Sequence, residues 1–113
     1  MSVFADLAKR LNLRISLRPV DEDPGEFLHE ILNELGLTQA AFADAIGVSP
    51  MRVSHLLKGQ RPVTAELALR LGLALALSQT PQYWLNLQAA YDLKVAQVAL
   101  KDSLLAVRAL AVA

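Results

Sequence analysis

Between Leu37 and Lys58 the chain twice sets out a helix with its own start, and a stop stands between the two. Thr38 has the hydroxyl that accepts a bond from an orphan backbone N–H one turn into a helix. Leu37 and Phe42 stand at the spacing of a hydrophobic staple across that first turn. Ala40, Ala41, Ala43 and Ala45 are strong helix formers, and Gly47 follows where a left-handed residue ends a helix at little cost. Ser49 then caps a second helix, with Pro50 at its first position, where a missing N–H is harmless. Val48 and Val53 make the second staple. Two capped helices around a tight glycine turn constitute a helix-turn-helix, whose second helix is shaped to enter the DNA major groove.

Charge agrees with that reading. From Ser49 to Arg61 the chain carries Arg52, Lys58 and Arg61 and no acid. With Val53, Leu56 and Leu57 turned to a core, Met51, Arg52, Ser54, His55 and Lys58 point outward, and such side chains reach base edges or phosphates. The plainer alternative is a solvated helix in an ordinary bundle. The formal net charge is zero, yet its distribution is segregated. Residues 1–18 hold Lys9, Arg10, Arg14 and Arg18 against Asp6, while residues 19–48 hold seven acids and no lysine or arginine. For phosphate binding, the local charge matters more than the sum.

The 113 residues suit one domain, and 54% apolar against 19% charged residues argues against disorder. No run is long and apolar enough to span a membrane, and there is no signal-peptide pattern. The absence of cysteine removes disulfides and thiolate metal sites, so a cytoplasmic protein is expected.

Three units are expected along the chain: a basic N-terminal arm over 1–18, a helix-turn-helix domain over 19–98, and a helical tail over 99–113. In the arm, Phe4, Leu7, Ala8 and Leu11 share one face of a short helix. Leu13, Ile15 and Leu17 then alternate with Arg14, Ser16 and Arg18 in a strand-like manner, although a lone strand needs a partner. Asp23-Pro24-Gly25-Glu26 opens the next helix with an Asp cap and Pro at its first position. Phe27, Leu28, Ile31, Leu32 and Leu35 form its apolar face, and Gly36 ends it. Glu26, Glu30 and Glu34 recur every four residues, as either a solvated face or a docking surface for a basic protein.

Beyond the helix-turn-helix, Gly59-Gln60-Arg61-Pro62 reads as a loop, and Thr64 caps a helix with Glu66 in its first turn, where the dipole favours an acid. Leu67, Leu71, Ala74 and Leu75 mark a buried face, which Leu69, Leu73 and Leu77 widen nearly all round. This places the helix at the centre of the core. Ser78-Gln79-Thr80-Pro81 breaks it and starts another, with Tyr83, Trp84, Leu85, Leu87, Tyr91 and Leu93. No Pro or Gly follows Pro81, and Lys101-Asp102-Ser103 offers the next break. Leu93, Leu100, Leu104 and Val107 continue an apolar seam beyond the needs of a small bundle. The preferred reading puts Trp84, Tyr91, Leu93, Leu100 and Leu104 at a subunit interface; the alternative folds the tail back onto its own core.

Several stretches together resemble a known group: Arg18-Pro19-Val20, Pro24-Gly25-Glu26-Phe27-Leu28, Leu37-Thr38-Gln39, Val48-Ser49-Pro50-Met51-Arg52-Val53-Ser54, Ala68-Leu69-Arg70-Leu71, Tyr83-Trp84-Leu85-Asn86-Leu87-Gln88 and Tyr91-Asp92-Leu93. Over about residues 18–95 the chain resembles HigA-type antitoxins of the Xre helix-turn-helix superfamily. The helix-turn-helix alone is shared with phage repressors; the Pro-Gly-Glu-Phe-Leu opening with Trp-Leu-Asn-Leu-Gln is more specific. Asp21-Glu22-Asp23 stands where members often carry a segment near His-Pro-Gly, and seventeen residues precede the match.

The resemblance implies an all-α, five-helix, lambda-repressor-like domain, here with the N-terminal arm and C-terminal helical extension added. It also implies a homodimer on a palindromic operator, autorepression of a toxin–antitoxin operon, and a HigB-type toxin similar to the RelE ribonucleases. Gln39, at the start of the first helix of the motif, matches the family position that touches the backbone or a base edge, and Thr38 beside it is counted among the DNA-binding residues. Ser49, Met51, Arg52, Ser54 and His55 face the groove, with Arg52 the candidate for a guanine. Lys58, Arg61 and Thr64 grip phosphates. A stand-alone phage-type Xre regulator without a toxin is the alternative. An enzyme is not expected: His29 and His55 lie on separate helices without ligand-spaced partners, so no catalytic residue, metal or cofactor is assigned. The basic arm and the acidic stripe are the two candidates for contacting the toxin.

Overall fold

In the computed structural model, which describes residues 22–75 and 80–110, the regular structure is entirely helical. α1 spans Pro24–Leu35, α2 Gln39–Ile46, α3 Pro50–Leu57, α4 Ala65–Ala74, α5 Pro81–Ala99 and α6 Lys101–Leu105. The arm expected over 1–18 lies outside the described residues, as do Leu77 and Ser78-Gln79. The five helices of the domain and the short α6 of the extension therefore follow the expected architecture.

Each of the first five helices begins at its expected cap. The Asp23 carboxylate accepts from Gly25 N–H at 3.1 Å. The hydroxyls of Thr38, Ser49, Thr64 and Thr80 accept from Ala41, Arg52, Leu67 and Tyr83 N–H at 3.1–3.3 Å. Each bond satisfies a donor that has no partner within its own helix. α2 ends at Gly47 with φ of 75°, a conformation costly for residues with a Cβ. There the Val48 N–H donates to the Ala43 carbonyl at 3.0 Å, reversing the chain for Ser49 to start α3.

One core joins these helices. Phe27, Leu28, Ile31 and Leu32 from α1, Phe42, Ala43 and Ile46 from α2, and Val53 and Leu56 from α3 pack with Leu67, Ala68 and Leu71 of α4 and with Trp84 and Leu87 of α5. Trp84 stacks on Phe27 with ring centroids 5.5 Å apart, and Tyr83 meets Phe27 edge-on at 5.9 Å. Gln88 of α5 accepts from Val63 N–H at 2.8 Å and so anchors the α3–α4 loop. At Gly25 the first turn of α1 lies directly on the end of α3: a Cβ there would come within 2.3 Å of the Leu56 carbonyl oxygen.

Three expectations require correction. α4 is not enclosed on all sides: Leu69 and Leu73 are 58% and 81% exposed. They lie about 200° and 240° around the axis from Leu67, on the side away from the core. Trp84, expected at a subunit interface, is fully buried within this chain's own core, so it presents no surface to a second copy. The alternative reading, with the tail folded back onto the core, fails too for the described residues. Every described residue from Asp92 onward is exposed, including Leu93, Leu100, Leu104 and Val107. The break between α5 and α6 falls at Leu100, one residue ahead of Lys101-Asp102-Ser103.

Two stability outcomes follow from this packing. Gly25→Ala should lower the unfolding free energy by about 1–3 kcal/mol, because the added methyl meets backbone that cannot swing aside. Denaturant titration measures the loss. Trp84→Ala should lose about 3–5 kcal/mol, as for other deletions of a large core side chain. If Trp84 instead joined subunits, the same variant would dissociate without that loss, which sedimentation at matched concentrations distinguishes.

Candidate nucleic-acid interface

The outer face of α3 is built by helical periodicity. Val53 and Leu56 are buried, so Met51, Ser54, His55 and Lys58, at i, i+3, i+4 and i+7, line the opposite side. Met51 is 68% exposed, Lys58 is exposed, and Ser54 and His55 are half-buried. Pro50 and the Ser49 cap leave the start of α3 open to solvent, and Ser49 itself is exposed. The helix N-terminus adds a partial positive charge at that end.

Arg52 is placed differently from its expected outward projection. Its side chain is half-buried and turned toward α4, where Nη2 donates to Glu66 Oε1 at 2.7 Å. The other Glu66 oxygen lies 3.5 Å from Arg70 Nε, and Arg70 Nη1 donates to the Ile46 carbonyl at 2.8 Å. That carbonyl ends α2, so two guanidiniums and one carboxylate link α3, α4 and the turn of the motif. The hydrogen bond and charge of Arg52 hold the Glu66 carboxyl below its ordinary value of 4.5, and Arg70 pulls the same way. At neutral pH the carboxylate is ionised and the three groups together carry one net positive charge.

Arg52, Arg61 and Thr64 also come together around a hollow of about 150 Å³, floored by Leu56, Pro62 and Leu67. Arg61 and Thr64 are exposed, and the Thr64 hydroxyl is committed to capping α4. Thr38 is likewise exposed with its hydroxyl on Ala41 N–H, and Gln39 is exposed at the first position of α2. Sequence reasoning assigned Glu66 only to the helix dipole and gave Arg70 no role. Their i, i+4 spacing on α4 was a legible signal, whereas the Arg52–Glu66 pairing spans fourteen residues and depends on helix packing. Among the proposed interface residues other than Trp84, Tyr91 is half-buried and Leu93, Leu100 and Leu104 are 64%, 47% and 43% exposed. Among the described residues no helix is long and apolar enough to cross a membrane, and no group of three or more His, Cys, Asp or Glu could hold a metal.

Known proteins resemble this chain in sequence and fold. A helix-turn-helix family model matches residues 28–78. Antitoxin HigA-1 of Vibrio cholerae is 46% identical over 77 residues, which span 67% of this chain and 69% of that protein. An addiction-module antidote protein of the HigA family from Coxiella burnetii superposes with a TM-score of 0.75 at 35% identity, over 80% of this chain and 98% of that one. The antitoxin GraA in complex with its operator superposes with a TM-score of 0.74 at 39% identity, over 84% of this chain and 94% of that one. The chain thus belongs to the HigA family of helix-turn-helix antitoxins, DNA-binding transcriptional repressors rather than enzymes.

Proposed function

We propose that the chain acts in the cytoplasm as a homodimer on a palindromic operator, represses its own operon and neutralises a HigB-type toxin similar to the RelE ribonucleases. The observation that carries this reading is the stretch from Ser49 to Arg61, comprising α3 and the turn after it, which has cations and neutral donors and no acid. Each copy would lay α3 in a major groove, with half-sites about one turn, roughly 34 Å, apart. Met51, Ser54 and His55 face base edges, and Arg52, while paired with Glu66, keeps further guanidinium donors for a guanine. Gln39 approaches from the start of α2. Ser49 faces the groove at the start of α3, Thr38 contacts DNA beside Gln39, and Lys58, Arg61 and Thr64 fix register on the phosphates. GraA bound to its operator supports the placement by similarity of fold.

The second copy is assigned to the exposed apolar residues of α5 and the tail, Leu93, Leu100 and Leu104, with Tyr91 at their edge. Such a run of exposed leucines along one extension is the kind of surface that a partner covers. The carboxylates of Glu26, Glu30 and Glu34 along α1 and the basic arm over 1–18 are the proposed toxin contacts.

Three experiments test this reading. Arg52→Ala should lower the preference for the chain's own promoter over random DNA by about 1–3 kcal/mol. Lys58→Ala should weaken both DNAs alike and reduce the salt slope by about one. Equal losses on both DNAs for both variants, measured by fluorescence anisotropy across salt, would refute the assignment. The double variant Leu100→Glu, Leu104→Glu should sediment as a monomer at concentrations where the parent is a dimer; an unchanged mass removes the tail from the interface. Copurification with the product of the adjoining reading frame tests the toxin, and a frame whose product does not bind leaves a stand-alone regulator.

A further inference from the structure

An acid on a face that meets phosphates is unfavourable unless it serves another group. Glu66 is such an acid: its side chain is 54% exposed and lies beside Arg52 in the first turn of α3, the part of a recognition helix that contacts base edges. Arginine reads a guanine through two donors in one rigid plane, and it discriminates well only if that plane is held in one orientation. The guanidinium has five donor hydrogens, and Glu66 takes one of them, on Nη2. An edge of the fork remains free. Glu66 is itself held: Oε2 faces Arg70 Nε, and Arg70 is fastened to the Ile46 carbonyl at the end of α2.

We infer that Glu66 is a positioning residue for sequence recognition, holding the Arg52 guanidinium so that its free edge is presented to a base, with Arg70 tying that orientation to the turn between α2 and α3. This rests on the operator-binding reading above. The alternative duty of Glu66, stabilising the α4 N-terminus through the helix dipole, makes no use of the 2.7 Å contact with Arg52. Nor is an exposed ion pair of this kind a strong source of fold stability. The effect of Glu66 therefore belongs in DNA discrimination.

The test compares the parent, Glu66→Gln, Arg52→Ala and the double variant on two duplexes: the promoter upstream of the chain's own reading frame, and a shuffled duplex of equal length and composition. Removing a negative charge should leave binding to shuffled DNA unchanged or tighter. The promoter-to-shuffled ratio should nevertheless fall about fivefold or more, the loss of one well-oriented guanine contact. In the Arg52→Ala background, Glu66→Gln should change that ratio by less than about twofold, because a residue acting through Arg52 has nothing left to position. A ratio unchanged by Glu66→Gln, or lowered equally in both backgrounds, overturns the inference. A parent without promoter preference overturns the operator-binding reading and the inference with it. Should Glu66→Gln melt well below the parent by circular dichroism, Glu66→Asp carries the test: it keeps the charge at the start of α4 but shortens the reach to Arg52, so the ratio should fall in the parent background and change by less than about twofold in Arg52→Ala. An undiminished ratio in Glu66→Asp likewise rejects the role.

Discussion

The close approach of α1 to the end of α3 governs where the DNA-facing helix stands. At Gly25 no side chain separates the two backbones, and a Cβ would lie 2.3 Å from the Leu56 carbonyl oxygen and 3.0 Å from that of Leu57. The positive end of α1 therefore meets the negative end of α3, a favourable alignment of helix dipoles at short range. The Asp23 carboxylate, which caps α1, also comes against Gly59 just beyond α3. With its far end seated on α1 and its inner face filled by Val53 and Leu56, α3 leaves only its outer face and its N-terminal turn to solvent.

The opposite end of α3 is held by polar contacts instead. Arg52, Glu66 and Arg70 join it to α4 and to the last carbonyl of α2. Ion pairs this exposed contribute little to folding, but they limit the orientations available to a long side chain. The two ends of α3 thus divide the work: close packing against backbone sets the helix axis, and charged groups set the direction of one side chain upon it. A chain of zero formal charge can present a basic face because its acids lie mainly on α1 and its approach, and because Glu66, the acid beside Arg52, is shared between two arginines.

The core explains why the aromatic residues belong together. Trp84 and Tyr83 of α5 enclose Phe27 of α1, and Gln88, one turn further along α5, holds the loop carrying Arg61 through Val63 N–H. The Trp-Leu-Asn-Leu-Gln stretch is therefore a structural support for the α3–α4 connection. Beyond Tyr91 the helix leaves the core, and its leucines lie on a surface that no other described residue covers.

Helix starts and stops were legible because they are local: Asp23, Thr38, Ser49, Thr64 and Thr80 each bond a backbone N–H two or three residues ahead, and Gly47 turns the chain where it stands. Local too were the apolar face of α1 and, Arg52 apart, the outer face of α3. What tertiary structure decided was every question of which neighbour a side chain meets. Trp84 went to the core and not to an interface, Leu69 and Leu73 stayed in solvent, and Arg52 turned to a glutamate fourteen residues away. Capping and periodicity act within a turn or two and are written in adjacent residues, whereas burial and long-range pairing depend on the angles at which whole helices pack, which no single stretch of this sequence contains.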